Sequence, residues 1–264
     1  MKLLLLIGLA AAAAQPPLCV AVVGCSMHYR DFFDNWAAQL AKLRLETEVG
    51  VVAIAEDEDV LGHLRRWRTE APPGIYRRVA LSREKRPLAE ALGFETAGFA
   101  KLMSRRARHL IGAHAALRRE WRDDPRARLI FTDLDVFWLR DPRPYFAGAC
   151  GAWAQTQHRE KGLLNPGFLV LTASEKASQL LKTWAALLDA EPGRNLPLFN
   201  QAHRALPDVT CALPPEAFAS AKQSFFRRRW SARDPGGVVA AHANWIDGHD
   251  AKYAAFVEKG LWVL

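Results

Sequence analysis

Residues 129–138 read Leu-Ile-Phe-Thr-Asp-Leu-Asp-Val-Phe-Trp, so two carboxylates, Asp133 and Asp135, directly follow an apolar run. The run predicts a buried strand of a parallel sheet, because strands covered on both faces lose the alternation of apolar and polar residues. Open α/β sheets bind ligands beyond the carboxyl ends of their strands. Carboxylates there can hold Mg²⁺ or Mn²⁺ together with substrate phosphates. The stretch therefore predicts an α/β fold with a metal–diphosphate site. The alternative interpretation is a turn after the strand in which Asp135 caps the next backbone segment.

The rest of the chain alternates strand and helix patterns. Apolar runs predict further strands at 18–24, 50–55, 152–155, 168–171 and 238–241, and helical spacing predicts helices at 31–43, 58–67, 96–119, 174–188 and 250–259. Residues 68–86, rich in proline, arginine and glutamate, are expected to form an exposed loop. This order predicts a mainly parallel sheet with helices on both faces. No repeat or linker interrupts it, so one domain over residues 18–264 is expected.

Size and charge narrow the classes of function. The chain has 264 residues, 50% of them hydrophobic, which suffices for one large α/β domain. Its net charge of +8 favours anionic ligands such as nucleotide diphosphates, nucleic acid or acidic glycans. Because the arginines are scattered and no zinc-finger, KH or RRM pattern occurs, we expect no nucleic-acid partner.

The N-terminus predicts a targeting segment. Met1-Lys2 is followed by residues 3–14, all apolar or glycine, and then by Gln15-Pro16-Pro17. This pattern is typical of a secretory signal peptide over residues 1–14, and it is shorter than the roughly 20 apolar residues of a spanning helix. A short signal anchor and a buried first helix stay open. Any membrane association is expected to involve this segment only.

The four cysteines match no metal-binding spacing. Cys19 and Cys25 flank one predicted strand, and an extended strand would hold them too far apart to bridge. An oxidising compartment would permit a Cys150–Cys211 disulfide. Buried free thiols are an equally good interpretation of that pair.

Three further groups of polar residues follow the aspartates. They are Leu164-Asn165-Pro166-Gly167-Phe168, Phe199-Asn200-Gln201 and the segment from His242 through Gly248 to Lys252. Each alone has an ordinary structural explanation: a turn residue, a helix start, a core histidine or a solvated lysine. Their occurrence together, in this order, is what indicates a site.

This order of motifs resembles the nucleotide-diphospho-sugar transferases, in particular the branch with plant arabinosyltransferases and rhamnogalacturonan xylosyltransferases. The resemblance runs from about Val20 to Trp262 and includes the opening from Gly24 to Trp36. It implies a GT-A fold, with a Rossmann-like mixed sheet, and retaining transfer from a nucleotide sugar with Mn²⁺ or Mg²⁺. A UDP-sugar donor, a glycan or glycoprotein acceptor and a place in the secretory pathway, in the Golgi lumen or outside the cell, are expected.

The resemblance assigns roles around the diphosphate. Asp133, Asp135 and His242 would hold the metal, which neutralises the departing phosphates as a Lewis acid. Lys252 would place a second positive charge there, and Gly248 would let the backbone approach. Lys101 and Arg105 are candidates for donor contacts, with an exposed basic stripe as the alternative.

Three amides are expected to face the donor sugar: Asn165, Asn200 and Gln201. Gln201 is a poor nucleophile and could instead stabilise an oxocarbenium-like centre while the acceptor attacks from the side of the leaving group. Asn200 departs from the aspartate usual in related families. An amide cannot carry the charge of a carboxylate nucleophile, so a covalent intermediate at this position is not expected.

Two other functions stay open. Phosphohydrolases of the haloacid dehalogenase type also carry Asp-x-Asp after a strand, with the first aspartate, here Asp133, as nucleophile. Against them, the motif lies in mid-chain and no convincing downstream lysine with an acidic pair follows it. A non-catalytic nucleotide- or glycan-binding protein on the same fold is the second alternative, because fold does not imply activity.

Overall fold

A computed structural model describes residues 17–82, 97–191, 195–220, 232 and 236–264. The ten strands of these residues are β1 (Cys19–Cys25), β2 (Val49–Ala55), β3 (Arg77–Leu81), β4 (Arg128–Thr132), β5 (Val136–Trp138), β6 (Ala152–His158), β7 (Leu163–Thr172), β8 (Thr210–Leu213), β9 (Phe218–Ser220) and β10 (Ala240–His242). The six α-helices are α1 (Arg30–Lys42), α2 (Glu58–Thr69), α3 (Ala97–Trp121), α4 (Glu175–Ala190), α5 (Asn195–Ala205) and α6 (His249–Glu258).

Seven strands form the large sheet, in the order β3-β2-β1-β4-β7-β6-β8. Strand β7 is antiparallel to both of its neighbours, whereas the other pairs are parallel. A small sheet, β5-β10-β9, continues from the end of β4. The predicted α/β class and mixed, mainly parallel sheet in a single domain are confirmed.

The central strand β1 explains why the sequence shows runs of apolar residues without alternation. Val20 and Val22 face a core formed with α3, α4 and α5, whereas Ala21 and Val23 face a core formed with α1, α2 and the small sheet. Both faces of the sheet are therefore buried from solvent. Ligands can reach the sheet only at its edges or at the ends of its strands.

The predicted exposed loop over residues 68–86 is wrong in part, because it contains strand β3. Strand β3 pairs in parallel with β2 at the edge of the large sheet. Its arginines hide the strand pattern, but each is paired: Arg77 contacts Glu46 at 3.2 Å and Arg78 contacts Glu120 at 2.7 Å. Residues 83–86 of the predicted loop lie outside the described residues.

Two predicted strands have bounds in the structure that change where a site residue lies. The strand expected at 168–171 starts earlier, so the motif around Asn165 lies inside β7 instead of leading into it. The strand expected at 238–241 is β10 and ends on His242 itself. The alternative explanation of Asn200-Gln201 as a helix start does not hold, since both residues lie in the middle of α5.

Cys150 and Cys211 form a disulfide with a Cα–Cα distance of 6.0 Å, whereas Cys19 and Cys25 are free and buried. The bridge closes a loop across a sequence separation of 61.

The bridge restricts the unfolded chain, and reduction restores the entropy of that chain. Reduction should therefore lower the free energy of unfolding by about 4 kcal/mol. Urea unfolding with and without reductant measures the loss. Cys150→Ser should lose the same amount and become insensitive to reductant, and equal stability of the oxidised and reduced wild type would contradict the prediction.

None of the helices in the described residues has both the length and the apolar composition of a membrane-spanning segment. Residues 1–14 lie outside the described part of the chain. The signal peptide expected there stays a prediction.

Candidate metal and donor site

The segment from Asp133 to Asp135 is the turn between the two sheets. Strand β4 ends at Thr132 and β5 begins at Val136. The Asp133 N–H donates to the Gly167 carbonyl at 2.8 Å, and the Asp135 carbonyl accepts from the Ala243 N–H at 3.0 Å. Backbone hydrogen bonds therefore fix the first aspartate to the large sheet and the second to the small one.

His242 completes a cluster with both carboxylates. It is the last residue of β10, pairs with Val136 of β5 and is 2% exposed. One ligand atom from each of Asp133, Asp135 and His242 lies within 4.8 Å of the others, and His242 Nε2 is 3.4 Å from Asp135 Oδ1. Two carboxylates and an imidazole make a donor set that fits Mn²⁺ well, with Mg²⁺ less suited to the nitrogen.

Two cations flank the carboxylates in the structure. Lys252 Nζ of α6 is 2.6 Å from Asp135 Oδ2, and Arg106 of α3 is 2.5 Å from Asp133 Oδ1. Burial raises the pKa of Asp133, and Arg106 offsets only part of that rise. Burial also acts to raise the pKa of Asp135, but Lys252 and His242 outweigh it and hold that pKa below its usual range. Asp135 is therefore the better-stabilised anion of the pair.

Gly167 is the point where β7 touches the cluster. A Cβ at this position would lie 2.7 Å from Asp133 Oδ2 and would also overlap Cε1 of His242. The β6–β7 register jumps here, from Ala154 opposite Leu169 to Gln155 opposite Asn165. The residues between Asn165 and Leu169 leave the β6–β7 ladder, and this irregularity brings the glycine backbone against the carboxylates, where a larger residue would clash.

The three amides predicted to face the donor sugar differ in placement. Asn165 accepts from the Gly167 N–H at 2.8 Å and donates to Gln157 Oε1 at 2.8 Å, so it borders the cluster. Asn200 is 2% exposed and bonds both backbone groups of Leu164 at 2.8 Å. It supports the strand next to Asn165 from behind. Gln201, on the same helix, has an exposed side chain.

The basic residue of α3 that reaches the cluster is Arg106, which the sequence analysis did not single out. Of the two basic residues predicted in α3, Lys101 has a side chain outside the described part, and Arg105 directly precedes the arginine that pairs with Asp133. One signal could have found it. Arg106 lies four residues before the buried Leu110, on the core-facing side of α3, where an arginine needs a partner.

Gly248 is the N-cap residue directly before α6, with a φ of 81° and a ψ of 155°. L-residues rarely adopt this conformation, so the glycine is needed for the turn that brings α6 and Lys252 to the cluster. Beside it lies an open cavity of about 710 Å³. The cavity is lined by Met27, His28, Arg30, Asp31, Asp247, Gly248, His249, Asp250 and Ala251.

His249 joins the N-termini of α6 and α1, with Nε2 2.9 Å from Asp31 and Nδ1 3.0 Å from Asp250. Burial acts to lower the pKa of His249, but the two carboxylates outweigh it and raise the pKa above 6.5. The charged ring should stabilise the folded protein at pH values below the ordinary pKa of histidine. This contribution is lost as the pH rises through the raised pKa of the folded state.

We expect His249→Gln to lower the free energy of unfolding by about 0.5 kcal/mol more at about pH 5.5 than at about pH 9. Urea unfolding at both pH values measures it; equal costs would contradict it.

Residues 49–256 match the family model described as nucleotide-diphospho-sugar transferase. The chain is similar to UDP-D-xylose:L-fucose alpha-1,3-D-xylosyltransferase 3 of Arabidopsis thaliana, with 25% identity over 92% of this chain and 66% of the relative. The corresponding xylosyltransferase 1 of that plant is 24% identical over 93% of this chain and 70% of its own length. The chain thus spans about two thirds of the length of the curated relatives that it matches.

Solved structures share the fold. The galactosyltransferase LgtC, in complex with donor and acceptor sugar analogues, superposes with a TM-score of 0.56 at 10% identity, covering 93% of this chain and 96% of its own. The bifunctional glycosyltransferase WbbM gives 0.54 at 12% identity, over 95% of this chain and 50% of its own. These likenesses confirm the GT-A fold expected from the sequence.

Proposed function

The chain belongs to the nucleotide-diphospho-sugar transferase family, and we propose that it is a metal-dependent, retaining glycosyltransferase acting on a UDP-sugar. The observation that carries this proposal is the cluster of Asp133, Asp135 and His242 within 4.8 Å, with Lys252 beside it. Family membership also argues against the phosphohydrolase alternative, in which Asp133 would be a nucleophile.

The relatives indicate the identity of the sugar donor, and the electrostatics of the site indicate where its diphosphate binds. The named relatives are UDP-xylose enzymes, which supports UDP as the carrier and makes a pentose such as xylose the first sugar to test. The cavity beside Gly248 lies at the N-terminus of α6, and the N-terminus of a helix favours an anion. We place the donor diphosphate between this helix end and the three metal ligands.

Mn²⁺ or Mg²⁺, when bound, supplies a Lewis acid for the phosphate oxygens of the leaving group. Lys252 lies 2.6 Å from Asp135, close enough to add a positive charge to the same oxygens, and Arg106 adds another from α3. Asn165 would orient the sugar from its position beside Gly167, while Asn200 holds its strand. Gln201 stays a candidate for the sugar face and would have to turn inward from its exposed position.

The transfer that we propose breaks the bond from the anomeric carbon to the phosphate oxygen and forms one to the acceptor oxygen on the same side. The hydroxyl proton of the acceptor passes to the departing UDP. The acceptor would be a glycan or glycoprotein hydroxyl. An amide at position 200, bonded to Leu164 on both sides, is not a nucleophile, which supports a mechanism without a covalent intermediate.

We further propose a location in the secretory pathway, in the Golgi lumen or outside the cell. The Cys150–Cys211 disulfide supports an oxidising compartment, and the apolar N-terminus is consistent with a signal peptide.

A panel of nucleotide sugars with Mn²⁺, followed by release of UDP without acceptor, tests the proposed function. We expect hydrolysis of one UDP-sugar, abolished by EDTA and restored by Mn²⁺. Hydrolysis of a generic phosphate ester that is lost in Asp133→Asn would instead establish the phosphohydrolase. Metal-dependent UDP binding with no turnover of any donor would establish a binding protein.

A further inference from the structure

Gln155 of β6 lies between the two sheets, directly behind His242. The residue is 1% exposed. The amide Nε2 is 3.1 Å from the carbonyl oxygens of both Phe218 and Ala219 in β9, and Oε1 is 2.7 Å from Nδ1 of His242. One side chain of the large sheet thus bonds two strands of the small sheet.

The two carbonyl groups decide which way the amide faces. Carbonyl oxygens only accept hydrogen bonds, so the NH₂ group of Gln155 must point at Phe218 and Ala219. Its oxygen then faces the imidazole, and an oxygen can only accept there. Nδ1 of His242 must carry a proton, which leaves Nε2 as the nitrogen that turns towards Asp135, 3.4 Å away.

We propose that Gln155 is a positioning residue that fixes His242 in the tautomer with the proton on Nδ1, so that Nε2 presents its lone pair to the metal. Outer hydrogen bonds of this kind set the orientation and basicity of ligating histidines. The inference rests on the proposed function for the ion's role in catalysis, but the tautomer itself is a property of the metal-free protein.

The neighbouring residues of β6 have other partners. Thr156 donates to the Leu213 carbonyl at 2.6 Å, and Gln157 accepts from Asn165 and Asn244 at 2.8 and 2.9 Å. If Gln155 were replaced, the remaining close acceptor among the described contacts of the His242 ring would be Asp135, which faces Nε2. Its proton would then move to Nε2, where it blocks the lone pair that a metal needs.

Nitrogen-15 NMR of the histidine rings in metal-free protein, at a pH where the rings are neutral, tests the tautomer. His242→Asn assigns the His242 signal. We expect the Nδ1–H tautomer in the wild type and the Nε2–H tautomer in Gln155→Leu. Gln155→Glu keeps an acceptor at the ring and should retain Nδ1–H, which a merely structural role would not predict.

Binding of Mn²⁺, followed by electron paramagnetic resonance, should weaken by about 10- to 100-fold in Gln155→Leu. The matched control is Thr156→Val, which removes a buried side-chain hydrogen bond from the adjacent residue and should leave Mn²⁺ affinity and tautomer unchanged. An Nε2–H signal in the wild type, or an unchanged signal and affinity in Gln155→Leu, would overturn the inference. Normal Mn²⁺ binding without turnover of any nucleotide sugar would overturn the proposed function and leave the role of Gln155 intact.

Discussion

Asp135→Asn will abolish Mn²⁺-dependent UDP binding and lower the rate of sugar transfer by at least about a thousandfold, or about 4 kcal/mol. Asp135 bonds Lys252 at 2.6 Å and lies 3.4 Å from His242, so it contacts both the lysine charge and a second proposed metal ligand. Asparagine keeps the shape but loses the charge. The buried Lys252 ammonium then faces a neutral amide. The metal ion loses one of its two carboxylate ligands.

The matched control is Asp189→Asn, which removes a carboxylate that pairs with Arg108 on the exposed surface. Exposed ion pairs contribute about 0 to 1 kcal/mol, so the control should keep wild-type UDP binding and transfer. Isothermal titration of UDP with Mn²⁺ and with EDTA separates the two variants. Tight, metal-independent UDP binding by Asp135→Asn would refute the metal site.

Gly167→Ala is expected to lose about 100-fold in Mn²⁺ affinity and nearly all transfer activity, although it adds only one methyl group. The new Cβ would lie 2.7 Å from Asp133 Oδ2 and would overlap the His242 ring. Both ligands must move apart to admit it. Overpacking a tight site also costs about 1–3 kcal/mol of stability, so the variant should still fold under assay conditions.

Gly237→Ala is the control for this substitution. Its Cβ would meet no described atom within 4 Å, and Gly237 is not among the glycines with positive φ. We expect wild-type Mn²⁺ binding and activity from it. Wild-type Mn²⁺ affinity in Gly167→Ala, measured by electron paramagnetic resonance with circular dichroism as the check on folding, would show that Asp133 and His242 do not share an ion.

Local pattern was sufficient for much of the fold. Strand β1 is a continuous apolar run because both of its faces are buried, and α3 shows its core stripe in Leu110 and Leu117. The local pattern gave a wrong prediction where the polar residues of an element pair with residues that are distant in the sequence. The arginines of β3 hid an edge strand, since they pair with Glu46 and Glu120 that lie far away in the sequence.

The site divides in the same way. Resemblance and residue type were enough to nominate Asp133, Asp135 and His242, and the structure brings ligand atoms of all three within 4.8 Å. Arg106 and Gln155 were missed because neither belongs to a recognisable motif. An arginine in a helix and a glutamine in a strand acquire their roles only from what packs against them.

The sequence alone determined the α/β class, the strand that presents the two aspartates and the chemistry of the ligands, because periodicity and residue type are local properties. Only the tertiary structure decided that β7 must pass with a glycine against the cluster and that Arg106 pairs with Asp133. It also decided that Gln155 joins the two sheets behind His242. These contacts link residues from about 27 to 87 positions apart, and such pairings depend on how strands and helices pack in three dimensions.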